Sequence, residues 1–159
     1  MFLYEVVDEF DRNKIDYAIV GGYALALHGI VRATVDIDLI LRLNKKNLEA
    51  AEKIMNNLGL TSRIPVKAHE VIIMREEYIR NRNLIAWSFV DYKNPTRQID
   101  ILITKDYSHS KVVKVKVGAR AIKVISLEEL LAMKEEASRP QDLIDIKAII
   151  EKIDEKKKK

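Results

Sequence analysis

The feature that most constrains the fold of this sequence is a strand pattern that runs directly into two glycines and a short helix. Residues 15–20 are largely apolar, Gly21 and Gly22 follow at once, and residues 23–27 favour a helix. Residues 34–41 then predict a second strand, because apolar and polar side chains alternate along them. This order is typical of a domain in which helices pack on a sheet.

The rest of the chain predicts further helices and strands, without an internal repeat or a long linker. Helix patterns occupy residues 1–12, the segment between Asn44 and Gly59, the segment after the capping-box residues Ser126 and Glu129, and the segment after Pro140. Antiparallel strand pairs are predicted for residues 84–92 with 98–103 and for residues 112–117 with 121–125. Residues 69–83 are apolar enough for a helix but show no clean period. The predicted fold class is therefore α/β, of the α+β kind: a mixed, partly antiparallel sheet flanked by helices, with helices at the carboxyl end.

The length of 159 residues predicts one domain with a substantial core. We place this domain at residues 1–154, with the carboxyl-terminal helices at about 126–154 and a lysine-rich tail at 155–159. The formal charge of +4 comes from the four lysines at 156–159, since acidic and basic residues are equal in number elsewhere. The tail is expected to be solvated; the alternative is a weak, salt-dependent contact with a nucleic acid.

Composition excludes several classes of protein. Residues 17–31 form the longest weakly polar stretch, which is shorter than the roughly 20 residues that cross a bilayer, so no membrane contact is expected. The amino end carries acids and no cationic leader, which predicts a cytoplasmic protein. The chain has no cysteine and only three scattered histidines, so thiol chemistry and a zinc cluster are excluded. Chemistry would depend on carboxylates, hydroxyls, lysines and oxygen-binding metals.

Three aspartates stand out as candidate metal ligands. Asp36 and Asp38 are two residues apart on a predicted strand, so their side chains point to the same face. Asp100 lies among four branched aliphatic residues, where an unpaired charge is costly unless it faces a cleft or a cation. Three carboxylates from two strands can hold two divalent ions for in-line phosphoryl displacement. The alternative is that the Asp36–Asp38 alternation only marks an exposed strand face.

The two glycines before this strand are candidate phosphate-binding residues. Backbone amides at Gly21 and Gly22 could approach phosphate oxygens closely, and the helix that they open would direct its positive end at the same anion. The alternative is that the glycines only permit a tight turn.

Together these residues resemble the DNA polymerase β-type nucleotidyltransferase superfamily. The resemblance rests on Gly21-Gly22, thirteen intervening residues, Asp36-Ile37-Asp38-Leu39, and later Ile99-Asp100-Ile101. The longer string from Val20 to Gly29, with Arg32 and Thr34, is similar to the branch of abortive-infection nucleotidyltransferase toxins (AbiEii/AbiGii-like). The resemblance returns near the carboxyl end at Lys134, Arg139-Pro140, Asp142 and Asp145, whereas residues 60–92 match nothing recognisable.

The resemblance implies a nucleotidyltransferase fold and a metal-dependent enzyme. Such an enzyme moves a nucleoside monophosphate from a nucleoside triphosphate such as ATP to an acceptor hydroxyl and releases pyrophosphate. Asp36, Asp38 and Asp100 would be the catalytic residues and would ligate two Mg²⁺ ions, with Mn²⁺ as a substitute. Asp100 would also help to activate the acceptor hydroxyl, and the Gly21-Gly22 turn would hold the triphosphate.

Four further residues are candidates for nucleotide binding. Lys134 falls on the inward stripe of its helix, where it contacts either an anion or the apolar surface that its stem covers. Asp142 is implied by the resemblance, although it could equally be a first-turn acid that favours the helix dipole, and Asp145 has the same two interpretations. Arg32 and Thr34 lie at or just before the predicted strand that carries Asp36 and Asp38, where a phosphate, the acceptor or solvent could be their partner.

The sequence leaves the acceptor open between an RNA 3′ end such as that of tRNA, a partner protein, and a small molecule. Membership of a toxin–antitoxin pair and a homodimer are both compatible with it. The alternative from a different class is a non-catalytic nucleotide-binding or toxin-neutralising module. The complete set of Asp36, Asp38 and Asp100 favours the enzyme, because a decayed site would have lost one of them.

Overall fold

A computed structural model of the chain describes residues 1–158. Its helices are α1 (Phe2–Arg12), α2 (Gly21–Leu27), α3 (Lys45–Asn57), α4 (Ala68–Asn81), α5 (Leu127–Ala137) and α6 (Pro140–Lys157), with one 3₁₀ turn at Tyr107–His109. Its strands are β1 (Tyr17–Val20), β2 (Ile37–Leu41), β3 (Thr61–Ser62), β4 (Ala86–Val90), β5 (Gln98–Leu102), β6 (Val112–Val117) and β7 (Arg120–Ile125). In this part of the chain no helix is both long and apolar enough to cross a bilayer.

The seven strands form one mixed sheet in the order β3-β4-β5-β2-β1-β7-β6. β2 pairs with β5, and β1 with β7, in parallel; the other neighbours are antiparallel. Helices cover the sheet and share one hydrophobic core with it, in which Phe10, Tyr17, Trp87 and Phe89 are the largest fully buried side chains. The predicted fold class, including both antiparallel hairpins, is confirmed.

The second strand is shorter than the alternation at residues 34–41 predicts. β2 begins at Ile37, and Val35 is 58% exposed rather than buried. The reason lies in the neighbouring strands, since pairing with β1 ends at Val20 opposite Asp38 and pairing with β5 begins at Ile37. Residues 34–36 therefore have no strand beside them, although Asp36 still lies two residues before Asp38.

Helix α4 is regular although its sequence shows no helical period. It buries only Ala68, Val71 and Tyr78, which leaves a narrow inward face among many charged residues. The predicted capping box at α5 is half right. Ser126 accepts a hydrogen bond from the backbone amide of Glu129, but the Glu129 carboxylate accepts one from the amide of Lys111.

The inward side of helix α6 is not a simple apolar stripe. In α6 Leu143 and Ile150 are exposed, while Asp142, Asp145 and Ile149 are buried. Helix α6 continues past the predicted boundary at residue 154 to Lys157, and the lysines of its last turn favour the negative end of the helix dipole. Of the predicted tail at 155–159, Lys159 lies outside the described residues.

Candidate functional site

The three predicted metal-binding aspartates lie on one face of the sheet and line the same cleft. Asp38 and Asp100 are direct neighbours across the parallel pairing of β2 and β5, and Asp36 precedes Asp38 by two residues. Ile37 and Ile99, which alternate with these acids, are fully buried on the opposite face. Strand alternation and register thus bring together two acids near the start of β2 and one within β5.

The glycine turn that follows β1 lies over the carboxylate edge, the group formed by Asp36, Asp38 and Asp100. Gly21 has φ +67°, and a Cβ added there would overlap Asp38 Oδ2 and lie 2.9 Å from Asp38 Cγ. A Cβ at Gly22 would lie 2.7 Å from Thr34 Oγ1. The backbone therefore passes closer to Asp38 and Thr34 than any larger residue would allow. All four residues line the cleft.

The carboxylates repel one another in a partly dry environment. Burial raises the pKa of Asp38 to about 7, and the charges of Asp100 and Asp36 add to this effect. Burial and the Asp100 charge likewise raise the pKa of Asp36, while Arg63 opposes the change. No cationic side chain among residues 1–158 forms an ion pair with any of these three acids. An ionised Asp38 thus has no ion-pair partner, and the charges of Lys134 and Arg139, which lower its pKa, offset burial and repulsion only in part.

These residues fit a hard divalent cation. Their donors are carboxylate oxygens, which Mg²⁺ prefers, and a bound cation would supply the compensation that Asp38 lacks. Within residues 1–158 no three acidic or histidine side chains are already drawn together at ligand spacing. Mg²⁺ does not need such a cluster, because it commonly takes one or two carboxylates and completes its shell with water and substrate phosphates.

A network of ion pairs forms the opposite wall of the cleft. Lys134 Nζ lies 3.1 Å from Asp145 Oδ2 and 3.4 Å from Asp142 Oδ1, and the lysine side chain is only 12% exposed. Arg32 binds Asp145 at 2.9 Å, and Arg139 binds Asp142 at 2.8 Å. The hydrogen bonds from Arg139 lower the pKa of Asp142 to about 2. The cations line the cleft, whereas the two aspartates are buried behind them.

The network therefore separates the predicted nucleotide-binding residues into two groups. Arg32, Thr34 and Lys134 border the cleft together with the two glycines. Asp142 does not border it, contrary to the predicted nucleotide contact, because its carboxylate is fully buried and bound to Arg139 and Lys134. Its place is behind the cations rather than against a ligand.

Replacing Lys134 by methionine should lower the free energy of unfolding by about 3 kcal/mol, because two buried carboxylates lose a shared cation. Urea denaturation at neutral pH measures this. The matched control is Lys147→Met, which removes an exposed lysine of α6 and should change stability by less than about 0.5 kcal/mol. Equal urea midpoints for the two variants would contradict the structural role of Lys134.

The cleft has a volume of about 770 Å³, within the usual range for ligand sites. Its remaining wall is partly apolar, with Ile85, Leu102 and Met133, and also contains Thr104 and the ion pair of Lys105 with Glu136. The sequence did not single out this wall, Arg139 as a cleft residue, or the polar pair Gln98 and Arg63 beside Asp100. For Gln98 a signal existed, because it lies two residues before Asp100 on the same strand and so on the same face.

Solved structures share this fold at low sequence identity. ANT(2″)-Ia, solved in complex with adenylyl-2″-tobramycin, is 13% identical, with 95% of this chain and 87% of that chain covered and a TM-score of 0.63. The lincosamide antibiotic adenylyltransferase LnuA, bound to lincomycin, is 15% identical, with 93% and 94% covered and a TM-score of 0.64. An antigenic nucleotidyltransferase-like protein from Paracoccidioides brasiliensis is 17% identical, with 92% and 71% covered and a TM-score of 0.55.

At these identities the likeness establishes the nucleotidyltransferase fold. No curated protein sequence matches the chain. The sequence profile described as "Nucleotidyl transferase AbiEii toxin, Type IV TA system" matches residues 2–158, nearly the whole chain. This match confirms the resemblance inferred from the glycine pair and the aspartates and favours the enzyme over a non-catalytic module. The chain belongs to the AbiEii family of nucleotidyltransferase toxins from type IV toxin–antitoxin systems.

Proposed function

We propose that this chain uses a divalent cation to transfer a nucleoside monophosphate from a nucleoside triphosphate to an acceptor hydroxyl, with release of pyrophosphate. The observation that carries the proposal is the carboxylate edge of Asp36, Asp38 and Asp100, which lies under a glycine turn and lacks a partner cation. Family membership supports nucleotidyl transfer, and the donor set of oxygens supports Mg²⁺, with Mn²⁺ as a substitute.

The two walls of the cleft have different roles in the proposed reaction. The backbone at Gly21 and Gly22 and the cations Arg32, Lys134 and Arg139 are placed to bind the triphosphate and the departing pyrophosphate. Lys134 has three N–H donors, so one remains for a phosphate after its two aspartate contacts. On the opposite side, the carboxylate of Asp100 would accept the proton of the attacking hydroxyl.

Asp36, Asp38 and Asp100 would hold one or two divalent ions between these walls. Bound there, such ions neutralise charge on the transferring phosphoryl group and increase the acidity of the acceptor hydroxyl. The chain itself contributes position and exclusion of water, since Asp38 is partly buried and its isoleucine neighbours are fully buried.

ATP is the first donor to test, because two proteins of similar fold are adenylyltransferases or carry an adenylylated ligand. The ligands of these two proteins, adenylyl-2″-tobramycin and lincomycin, make a small-molecule acceptor one candidate class. The toxin family makes an RNA 3′ end or a protein the other candidates. One labelling experiment can identify both the nucleotide donor and the class of acceptor.

In this experiment the protein is incubated with each of four α-labelled nucleoside triphosphates, Mg²⁺ and a cell lysate, which is then divided into RNA, protein and small molecules. Label should appear in one fraction and disappear when EDTA removes the metal. Asp36→Ala should reduce the label about 100-fold, since a metal ligand is lost at the rim of the edge. The control Asp154→Ala removes an exposed acid of α6 and should transfer as wild type does. Equal transfer by Asp36→Ala would contradict the metal site, and tight nucleotide binding without transfer would contradict the proposed reaction.

A further inference from the structure

Gln98 connects the carboxylate edge to a cation outside it. Its side-chain nitrogen donates hydrogen bonds to both carboxylate oxygens of Asp100, at 3.0 Å to Oδ1 and 3.3 Å to Oδ2. Its side-chain oxygen accepts a hydrogen bond of 2.7 Å from Arg63. Gln98 and Asp100 lie two residues apart on β5, so strand alternation places their side chains on the same face.

The chemistry of the two partners fixes which way the Gln98 amide points. A guanidinium has only donors, so Arg63 requires the amide oxygen. An ionised carboxylate has only acceptors, so Asp100 requires the amide nitrogen. Both contacts are satisfied by the same orientation, and a flipped amide would lose both. Arg63 thus sets the direction in which Gln98 offers its N–H groups.

Arg63 is itself held in place by the sheet. Its backbone amide donates a hydrogen bond of 2.9 Å to the carbonyl of Ser88 on β4. Ser88 is the direct neighbour of Asp100 across the antiparallel pairing of β4 and β5. The arginine is therefore anchored to β4, the strand that pairs with β5 at Asp100, although its side chain is exposed.

We propose that Gln98 is a positioning residue for Asp100 and that Arg63 acts on Asp100 through Gln98. The amide holds both oxygens of the Asp100 carboxylate, which restricts the rotation of that carboxylate and leaves a further lone pair on each oxygen for another ligand. This inference rests on the proposed function in one respect, the role of Asp100 as metal ligand and base. The hydrogen-bonded series from Arg63 through Gln98 to Asp100 does not depend on whether the chain transfers nucleotides.

The kinetic test uses Gln98→Met, which keeps the length of the side chain and removes its amide. We expect kcat to fall about 10-fold and the affinity for Mn²⁺, measured by electron paramagnetic resonance, to weaken about 10-fold. KM for the nucleoside triphosphate should stay within about twofold, because Gln98 orients Asp100 and is not placed at the triphosphate wall. Thr96→Val, in the same β4–β5 hairpin, removes a side-chain hydrogen bond to Asn94 and should leave all three quantities unchanged.

A double-variant cycle tests whether the residues act in series. Removal of the Arg63 charge, which acts directly on Asp36, would by itself favour cation binding, so the effect through Gln98 has the opposite sign. Arg63→Met should weaken Mn²⁺ binding by about threefold, and Arg63→Lys should recover part of this loss because it restores a donor. The double variant Gln98→Met/Arg63→Met should bind Mn²⁺ no more weakly than Gln98→Met alone. Additive losses would overturn the series, and wild-type Mn²⁺ affinity in Gln98→Met would overturn the positioning role.

Nuclear magnetic resonance separates this inference from the proposed function. The chain contains two glutamines, so the side-chain amide signals of Gln98 have those of Gln141 as an internal reference. Asp100→Asn and Arg63→Met should each shift the Gln98 amide signals and leave those of Gln141 in place. Unshifted Gln98 signals would overturn the inference whether or not the enzyme transfers nucleotides. Shifted signals with weakened Mn²⁺ binding would support it even if no transfer were found, a result that would contradict only the proposed function.

Discussion

Replacing Asp38 by asparagine should lower the rate of nucleotidyl transfer about 1,000-fold and at the same time make the metal-free protein more stable at pH 8. A 1,000-fold loss corresponds to about 4 kcal/mol of transition-state stabilisation. Asp38 is partly buried, lies directly beside Asp100, and is overlain by Gly21, so no neighbouring group can replace its carboxylate. Label transfer measures the rate, and thermal unfolding in EDTA measures the stability.

The sign of the stability change follows from the pKa of Asp38, which burial raises from 3.8 to about 7. Between about pH 4 and about pH 7 the folded chain holds a proton at this carboxyl that the unfolded chain has released. The free energy of unfolding contributed by Asp38 therefore falls as the pH rises through this window. Asparagine stays neutral, so Asp38→Asn should unfold roughly 2–4 °C higher than wild type at pH 8 for each kcal/mol gained.

Divalent cation should reverse the order of stability. Mg²⁺ binds the folded wild type and raises its Tm, while the asparagine variant should respond much less. Asp154→Asn, at an exposed position of α6, controls for the loss of one negative charge and should show neither effect. An Asp38→Asn variant that transfers nucleotides at the wild-type rate, or is less stable than wild type in EDTA at pH 8, would contradict this account.

The second large effect is expected from Gly21→Ala, which should reduce transfer at least about 100-fold. An added Cβ would overlap the carboxylate of Asp38, and the residue would also be held at φ +67°, which side chains disfavour. The carboxylate or the turn must then move away from the position that the site requires. Displacement of a reacting group by about 1 Å can cost about 100-fold in rate.

The matched control is Gly118→Ala in the turn between β6 and β7. Gly118 has φ +63°, close to that of Gly21, but a Cβ there would meet nothing within 4 Å. Both variants should lose about 1–2 kcal/mol of stability from the backbone alone, as urea denaturation would show. Only Gly21→Ala should also lose transfer. Similar activities for the two variants would mean that the close approach of Gly21 to Asp38 is not needed.

Local sequence signals predicted the carboxylate edge well because short-range geometry determines it. Strand alternation predicts that Asp36 and Asp38 share a side and that Ile37 faces away, and both acids line the cleft although Asp36 lies just before β2. Asp100 was found by its conflict with the branched aliphatic residues around it, a conflict that its place in the cleft resolves. The glycine pair was recognised as a turn between a strand and a helix, but its close contacts with Asp38 and Thr34 were not predicted.

Local patterns predicted only part of the ion-pair wall, since they placed Lys134 on the inward side of its helix without identifying its partners. Periodicity assumes that the inward face of a helix is apolar, and in α6 this face carries Asp142 and Asp145. Those aspartates are buried because Arg32, which is distant in the sequence, Lys134 on the preceding helix and Arg139 at the start of α6 supply their partners. The Gln98–Arg63 contact also joins separate segments. Partners of this kind become visible only when the tertiary arrangement is known.

The parallel pairing of β2 with β5 also has a consequence for when the site comes into existence. The chain completes α3, β3, α4 and β4 before it reaches Asp100, and the cations of the opposite wall need α6 at the far end. Closing such long loops is slow and gains few contacts until it is complete. A partly folded chain therefore carries only fragments of the cleft, so catalytic competence should arise together with the finished native state.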